Sequence, residues 1–216
     1  MELYDALMTT RAMRRFSDEP VSDDDVVACL RAAVQAPSGG NIQPYQFLVV
    51  TDPELRAGIG DIYLRSWNRY APAVAASMPP FKDDKAAARW QRNVDASDEL
   101  ARRFGEVPVH VLVLVPRMTM EVTDAEGTMD VGPIYASVYP AVQNLILAAR
   151  SRGLGTVLTT VYKVHAAELH ELLGIPDRYE VAALLPLGHP TGTWGVAPRR
   201  PAESLTSWER WGQRRG

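Results

Sequence analysis

The sequence predicts an α+β fold, with a central mixed or antiparallel sheet covered by helices, and three observations predict it. Apolar residues recur at the 3.6-residue helical period in several stretches, as at Val26, Val27, Leu30, Ala33 and Val34. Four or so β-branched, apolar runs lie scattered among these stretches rather than in tight pairs, and few hairpin turn signals occur. No internal repeat, low-complexity tract or linker divides the chain, so a single domain over residues 1–216 is expected.

Taken in order, "MELYDALMTTRAM" reads as a short helix with Leu3, Leu7 and Met8 on one side, running into a basic corner at Arg11, Arg14 and Arg15. Ser22 with Asp25 forms an S-x-x-D capping box that opens a second helix, which stops near Pro37. Residues 45–51, "YQFLVVT", suit a buried strand, and Asp52-Pro53 opens a third helix through Leu55, Ile59, Ile62 and Tyr63. From about 66 to 105 tryptophans, prolines and charges mix, which predicts an irregular, mostly helical excursion that covers a site. A strand at 107–115 is followed by a polar loop from Thr119 to Gly132. The segment 133–152 is apolar nearly all round, as a core or interface helix would be. "RGLGTVLTTV" is a helix stop and then a strand; a short helix spans roughly 165–173, and "YEVAALLPLGHP" gives the last strand. The tail from Thr191 carries Trp208 and Trp211, which need a surface to lie on.

Composition excludes several functions. A formal charge of -3 offers no global attraction to nucleic acid or anionic lipid. The apolar run 107–116 is about half the length of a membrane span, and the N-terminus lacks the basic flank and apolar run of a signal peptide, so the cytoplasm is the default compartment. Cys29, the single cysteine, falls in a helical pattern and reads as a buried, inert thiol. His165 and His170 are five residues apart rather than four, which argues against a metal site. Neither GxGxxG nor the Walker pattern is present, and Ser38 lacks a G-x-S-x-G elbow.

Two polar stretches carry possible chemistry. In "APSGGNIQPYQFLVV", residues 36–50, glycines allow close backbone approach to a ligand, and Ser38, Asn41 and Gln43 supply neutral donors and acceptors suited to a planar, polar-edged ring. A helix cap followed by a turn would use the same residues. Arg11 and Arg14, and Arg199-Arg200 in the tail, would form an anion pocket if they converged; taken singly, each is an ordinary solvated arginine.

Together, "RAMRRF" at 11–16, "APSGGNIQPYQFLVV" at 36–50, "AVQNLILAARSRGLGT" at 141–156, "LLPLGHP" at 184–190 and "PRRP" at 198–201 resemble the FMN-dependent nitroreductase family in order and spacing. The resemblance covers nearly all of the chain except about 66–130. It implies an intertwined homodimer with FMN at the subunit interface, contacted from both chains.

The resemblance also implies roles. Arg11 would take the FMN phosphate, with Ala12 beside it and Arg14 at the ribityl and pyrimidine side of the flavin. Thr10 and Ala12 depart from the family's usual Arg-Arg-Ser-x-Arg, while Arg199 and Arg200 could compensate at the phosphate. Pro37, Ser38, Gly39, Asn41 and Gln43 would follow the ring edge of the partner's cofactor. Thr159 and Thr160 stand where many relatives place Glu-Gly and would offer main-chain donors to flavin N5.

No catalytic side chain is implied, because the cofactor carries the chemistry. NAD(P)H is the implied co-substrate, a nitroaromatic, quinone or similar electron-poor molecule the acceptor, and a ping-pong cycle the mechanism. Arg14 and Thr160 would tune the ring. Tyr63, Trp67, Tyr70 and Phe81 are further stacking surfaces, although aromatics at helical spacing are more often core. Reductive dehalogenation, flavin fragmentation, a flavin-storage protein with little turnover, and an interaction module using the tryptophan tail stay open as alternatives.

Overall fold

The computed structural model describes residues 1–118 and 120–215; Thr119, where the predicted polar loop begins, and Gly216 of the predicted tail lie outside the described residues. Four strands form the central sheet in the order β1-β2-β6-β5, and every pairing is antiparallel. They are β1 (Gln46–Val50), β2 (Val109–Pro116), β5 (Gly155–Thr156) and β6 (Tyr179–Gly188). β2 and β6 are buried on both faces, which explains their near-continuous apolar sequences.

Alternation along β2 sorts two cores. Val109, Val111, Val113 and Val115 face α2 (Asp23–Ala33) and α5 (Tyr135–Ser151), whose Cys29, Ala33, Val138, Val142 and Leu145 complete that layer. Leu112 and Leu114 point the other way, towards Ile59, Ile62 and Tyr63 of α3 (Pro53–Ser77) and Leu169 of α6 (Ala166–Leu173). Cys29 is buried, and burial raises its thiol pKa to about 11, in keeping with an inert thiol. The predicted capping box exists: Asp25 N–H donates to Ser22 Oγ at 3.1 Å.

Two expectations need correction. The 66–105 segment is mostly helical, as expected, but regular where irregularity was expected: α3 runs 25 residues to Ser77, and α4 (Asp84–Arg103) returns beside it for 20. The buried positions of α3 end at Ser66, so its outer half leaves the core, loses its apolar stripe and no longer shows the pattern that marks a helix in sequence. Pro72 lies inside α3 and removes one ladder donor, a second reason why the regularity of this helix does not show in the sequence. The polar loop, in turn, contains a small hairpin, β3 (Glu121–Thr123) and β4 (Thr128–Asp130), closed where Asp124 Oδ1 accepts from the N–H groups of Glu126 and Gly127. The short helix α1 (Leu3–Thr9) leaves Leu3, Tyr4 and Leu7 exposed.

His110 sits fully buried on β2, stacked on Phe104 at 4.7 Å, with Nε2 donating to the Phe104 carbonyl at 3.0 Å and Nδ1 without a partner among the described residues. Burial holds its pKa down to about 3, against an ordinary 6.5. The unfolded chain therefore binds the extra proton below pH 6.5 and the folded chain does not until about pH 3, so stability falls as pH drops through that window. At pH 5 this costs about 2 kcal/mol. Urea unfolding at pH 7 and pH 5 should show a smaller acid loss in His110→Phe than in the parent by about that amount; equal losses would mean that the imidazole does not remain neutral.

Candidate active site

A cleft of about 730 Å³ opens between the α3–α4 hairpin and the chain after β5. Its floor holds Arg14, Thr159 and Thr160, three of the residues singled out from sequence. Arg14 reaches it because the N-terminal segment runs along the sheet edge: Met13 N–H donates to the Thr156 carbonyl at 3.0 Å, and Phe16 bridges to Pro190. Met13 and Phe16 turn into the core, leaving Arg14 between them to face the cleft.

Arg14 is half-buried, and desolvation lowers its pKa, yet its guanidinium has neither a hydrogen-bond acceptor nor a carboxylate among the described residues. A cation held out of water without a counter-charge is an unfavourable arrangement unless something anionic or strongly accepting joins it. Thr159 is fixed differently. Its backbone pairs both ways with Leu184 at 3.0 and 3.1 Å, so its N–H is already committed. Its hydroxyl shares a 3.0 Å hydrogen bond with Tyr63. Thr160 is exposed, and its N–H has no partner among the described residues, so of the two threonines only Thr160 keeps a main-chain donor for a ligand.

The walls are aromatic and amide-bearing. Trp67 and Tyr70 of α3 face Trp90 of α4, with Asn68, Gln91 and Asn93 nearby. Trp67 Nε1 donates to Asp98 Oδ1 at 2.5 Å, tying the two helices together. Tyr63 is not an open stacking surface: it is buried and stacked on Phe104 at 3.9 Å. Phe81 packs near Trp90 outside the cleft. Sequence reasoning missed Trp90 and Asp98; 31 residues separate Trp67 from Asp98, and only the return of α4 brings them together.

The glycine-rich loop lies elsewhere. Pro37, Ser38 and Gly39 line a second depression of about 530 Å³ at the start of α5. Gly40, Asn41 and Gln43 take positive φ values of 56°, 57° and 45°, and for the two non-glycine residues this conformation costs on the order of 1 kcal/mol each. Ser38 Oγ accepts from Gln43 N–H at 3.1 Å, and Gly39 N–H donates to Ser137 Oγ at 3.0 Å. Gln43 Nε2 also donates to Asn41 Oδ1 at 3.1 Å, so the loop is held in shape by its own polar groups. Arg11, Ala12, Arg199 and Arg200 are exposed outside both depressions. A single copy of the chain thus brings Arg14, Thr159 and Thr160 together and leaves the other candidates on separate surfaces.

Four antiparallel strands between two helical layers, with a cleft at the sheet edge beneath a helical hairpin, define this molecule as an α+β protein of the nitroreductase fold. A solved iodotyrosine deiodinase, bound to FMN and 3-iodo-L-tyrosine, aligns with a TM-score of 0.69 at 26% identity over 93% of this chain and 96% of that one. The chain belongs to the nitroreductase family, whose model matches residues 7–189. It is 28% identical over 197 residues to an iodotyrosine deiodinase of Thermotoga neapolitana, covering 91% of this chain and 93% of that protein. It is also 28% identical over 198 residues to an NADPH-flavin oxidoreductase of Vibrio harveyi, covering 92% and 70%. No helix among the described residues is long and apolar enough to cross a membrane, and among them no cluster of metal-ligating side chains occurs.

Proposed function

We propose that the protein is an FMN-dependent oxidoreductase that takes electrons from NAD(P)H and passes them to an electron-poor aromatic or quinoid acceptor. The observation that carries this reading is Arg14: a half-buried guanidinium that no carboxylate among the described residues pairs with, at the foot of a cleft walled by indole and phenol rings. A flavin fits that set: Arg14 would donate to its pyrimidine carbonyls, the free Thr160 N–H would serve its N5 side, and the apolar and aromatic walls would take its ring system. When bound, FMN supplies the redox chemistry, accepting a hydride from the nicotinamide and handing it on to the acceptor.

The residues of the chain do the rest. Arg14 places fixed positive charge where electron density builds up, at no cost of reorganisation during the reaction. Thr159, pinned by Leu184 and Tyr63, holds the turn that aims Thr160. The α3–α4 hairpin forms one wall of the cleft.

We place the cofactor at the interface of a homodimer, with Arg11, Arg199 and Arg200 on its phosphate and with Pro37, Ser38, Gly39, Asn41 and Gln43 supplied by the partner. The separation of these residues in one chain and the exposed apolar face of α1 support this arrangement. Nucleic acid and membrane have no part in this proposal, and the cytoplasm is its compartment.

Anaerobic titration of the flavin-loaded protein with NADPH and with NADH tests the activity. Bleaching of the flavin absorbance by at least one of them, and its return when a quinone is added, is the expected result; a flavin indifferent to both nicotinamides would instead indicate storage. The likeness to the Thermotoga deiodinase favours one second reading, reductive dehalogenation, for which iodide release from 3-iodotyrosine under reducing conditions is the discriminating assay.

A further inference from the structure

The cleft holds a second unpaired charge that the flavin does not use. Among the described residues its lining has two charged side chains, Arg14 on the floor and Asp98 on α4, and no ion pair joins them. Asp98 is half-buried and accepts the Trp67 indole N–H on Oδ1 at 2.5 Å; its Oδ2 has no hydrogen-bond partner among the described residues, and no lysine or arginine pairs with the carboxylate. The neighbouring walls are Trp67, Tyr70 and Trp90, with ring faces that attract cations, and the other polar neighbours on the two helices are neutral: the Ser97 hydroxyl and the amides of Asn68, Gln91 and Asn93.

The geometry points to Asp98 as a specificity-determining residue. It selects an acceptor whose ring carries a positively charged or N–H-bearing substituent, with the ring between the indoles and the substituent on Oδ2. This rests on the reading of the cleft as the acceptor site. The Trp67 bond fixes the direction of the carboxylate, so little side-chain freedom remains to be lost when a ligand donor arrives. Two fixed charges at different points of one cleft also orient the acceptor: its electron-poor end lies towards Arg14 and its cationic end towards α4. Anionic aromatics meet Asp98 unfavourably and enter poorly.

Benzyltrimethylammonium, benzyl alcohol and phenylacetate share a ring and differ in charge, and none is reduced by a flavin. Their binding to the FMN-loaded protein, in which the flavin would occupy Arg14, is read by calorimetry for the parent and for Asp98→Asn, whose amide oxygen still accepts from Trp67. In the parent the cation should bind about tenfold more tightly than the neutral ring, with the anion weakest. Asp98→Asn should lose most of that preference while the affinity for benzyl alcohol stays within about twofold.

Equal affinities in the parent overturn the inference, a result that needs no variant. A preference undiminished in Asp98→Asn, which is what a purely structural Trp67 bond gives, overturns it too. Because the probes report binding and not turnover, the two readings fail separately: an Asp98-dependent cation site in a protein that nicotinamides leave oxidised refutes the oxidoreductase and upholds the site. Turnover without cation preference does the reverse.

Discussion

Arg14→Gln should weaken FMN binding by roughly ten- to a hundredfold, equivalent to the 1.5–3 kcal/mol typical of a hydrogen bond to a charged group. Arg14 starts from an unusual position, since part of its hydration is already lost and no carboxylate among the described residues replaces it. The ligand that satisfies it therefore gains more than it would from a solvated arginine. Arg14→Lys keeps the charge but lacks the planar fork, and should recover only part of the affinity. Arg11→Ala should also weaken FMN retention, through the phosphate, while leaving the ring environment and hence the shape of the bound spectrum unchanged. Fluorescence titration of the apoprotein with FMN measures all three. An Arg14→Gln variant that binds FMN as tightly as the parent would remove this arginine from the site.

Gly60→Ala should destabilise the fold by about 2 kcal/mol in chemical denaturation, against the direction that helix propensity alone gives. In the middle of a helix alanine is better than glycine by about 1 kcal/mol. Here a Cβ on Gly60 would lie 2.6 Å from the Gly105 backbone nitrogen and 2.8 Å from its Cα, and backbone cannot swing aside as a side chain can. Overpacking of this kind costs about 1–3 kcal/mol, and this contact falls at the upper end, so the clash wins. The effect extends to the cleft. Gly60 seats α3 against the turn Phe104–Glu106, and that seating stacks Tyr63 on Phe104 and brings its hydroxyl to Thr159. A variant as stable as the parent would mean that α3 and this turn separate at little cost.

The legible parts of the molecule are those where local chemistry and tertiary position agree. Ser22 and Asp25 announce α2 because the cap is made entirely within four residues. β2 and β6 are readable because burial on both faces requires apolar residues at every position. The hairpin β3–β4 was hidden by its length: three exposed residues per strand give no alternation to detect, although Asp124 and Gly127 carried the turn signal. The outer half of α3 was legible as helical but not as one regular helix, because it borders a cleft and not the core and so keeps no apolar stripe.

The candidate site divides along the same line. The basic corner and the glycine-rich loop could be named from residue types, and Arg14 and Thr160 do meet in the cleft. That Thr159 has already committed its N–H to Leu184 is a fact of strand pairing with no trace in its own neighbourhood of the sequence. Asp98 gave no sign either, being one carboxylate among many on a charged helix until α4 folds back onto Trp67.

The most direct test of the central claim is the visible absorption spectrum of the purified protein, taken before and after incubation with FMN and removal of the excess by gel filtration. The account predicts a yellow protein that retains close to one FMN per chain and elutes as a dimer. A protein that stays colourless after incubation and lets all the FMN pass through the column would contradict it.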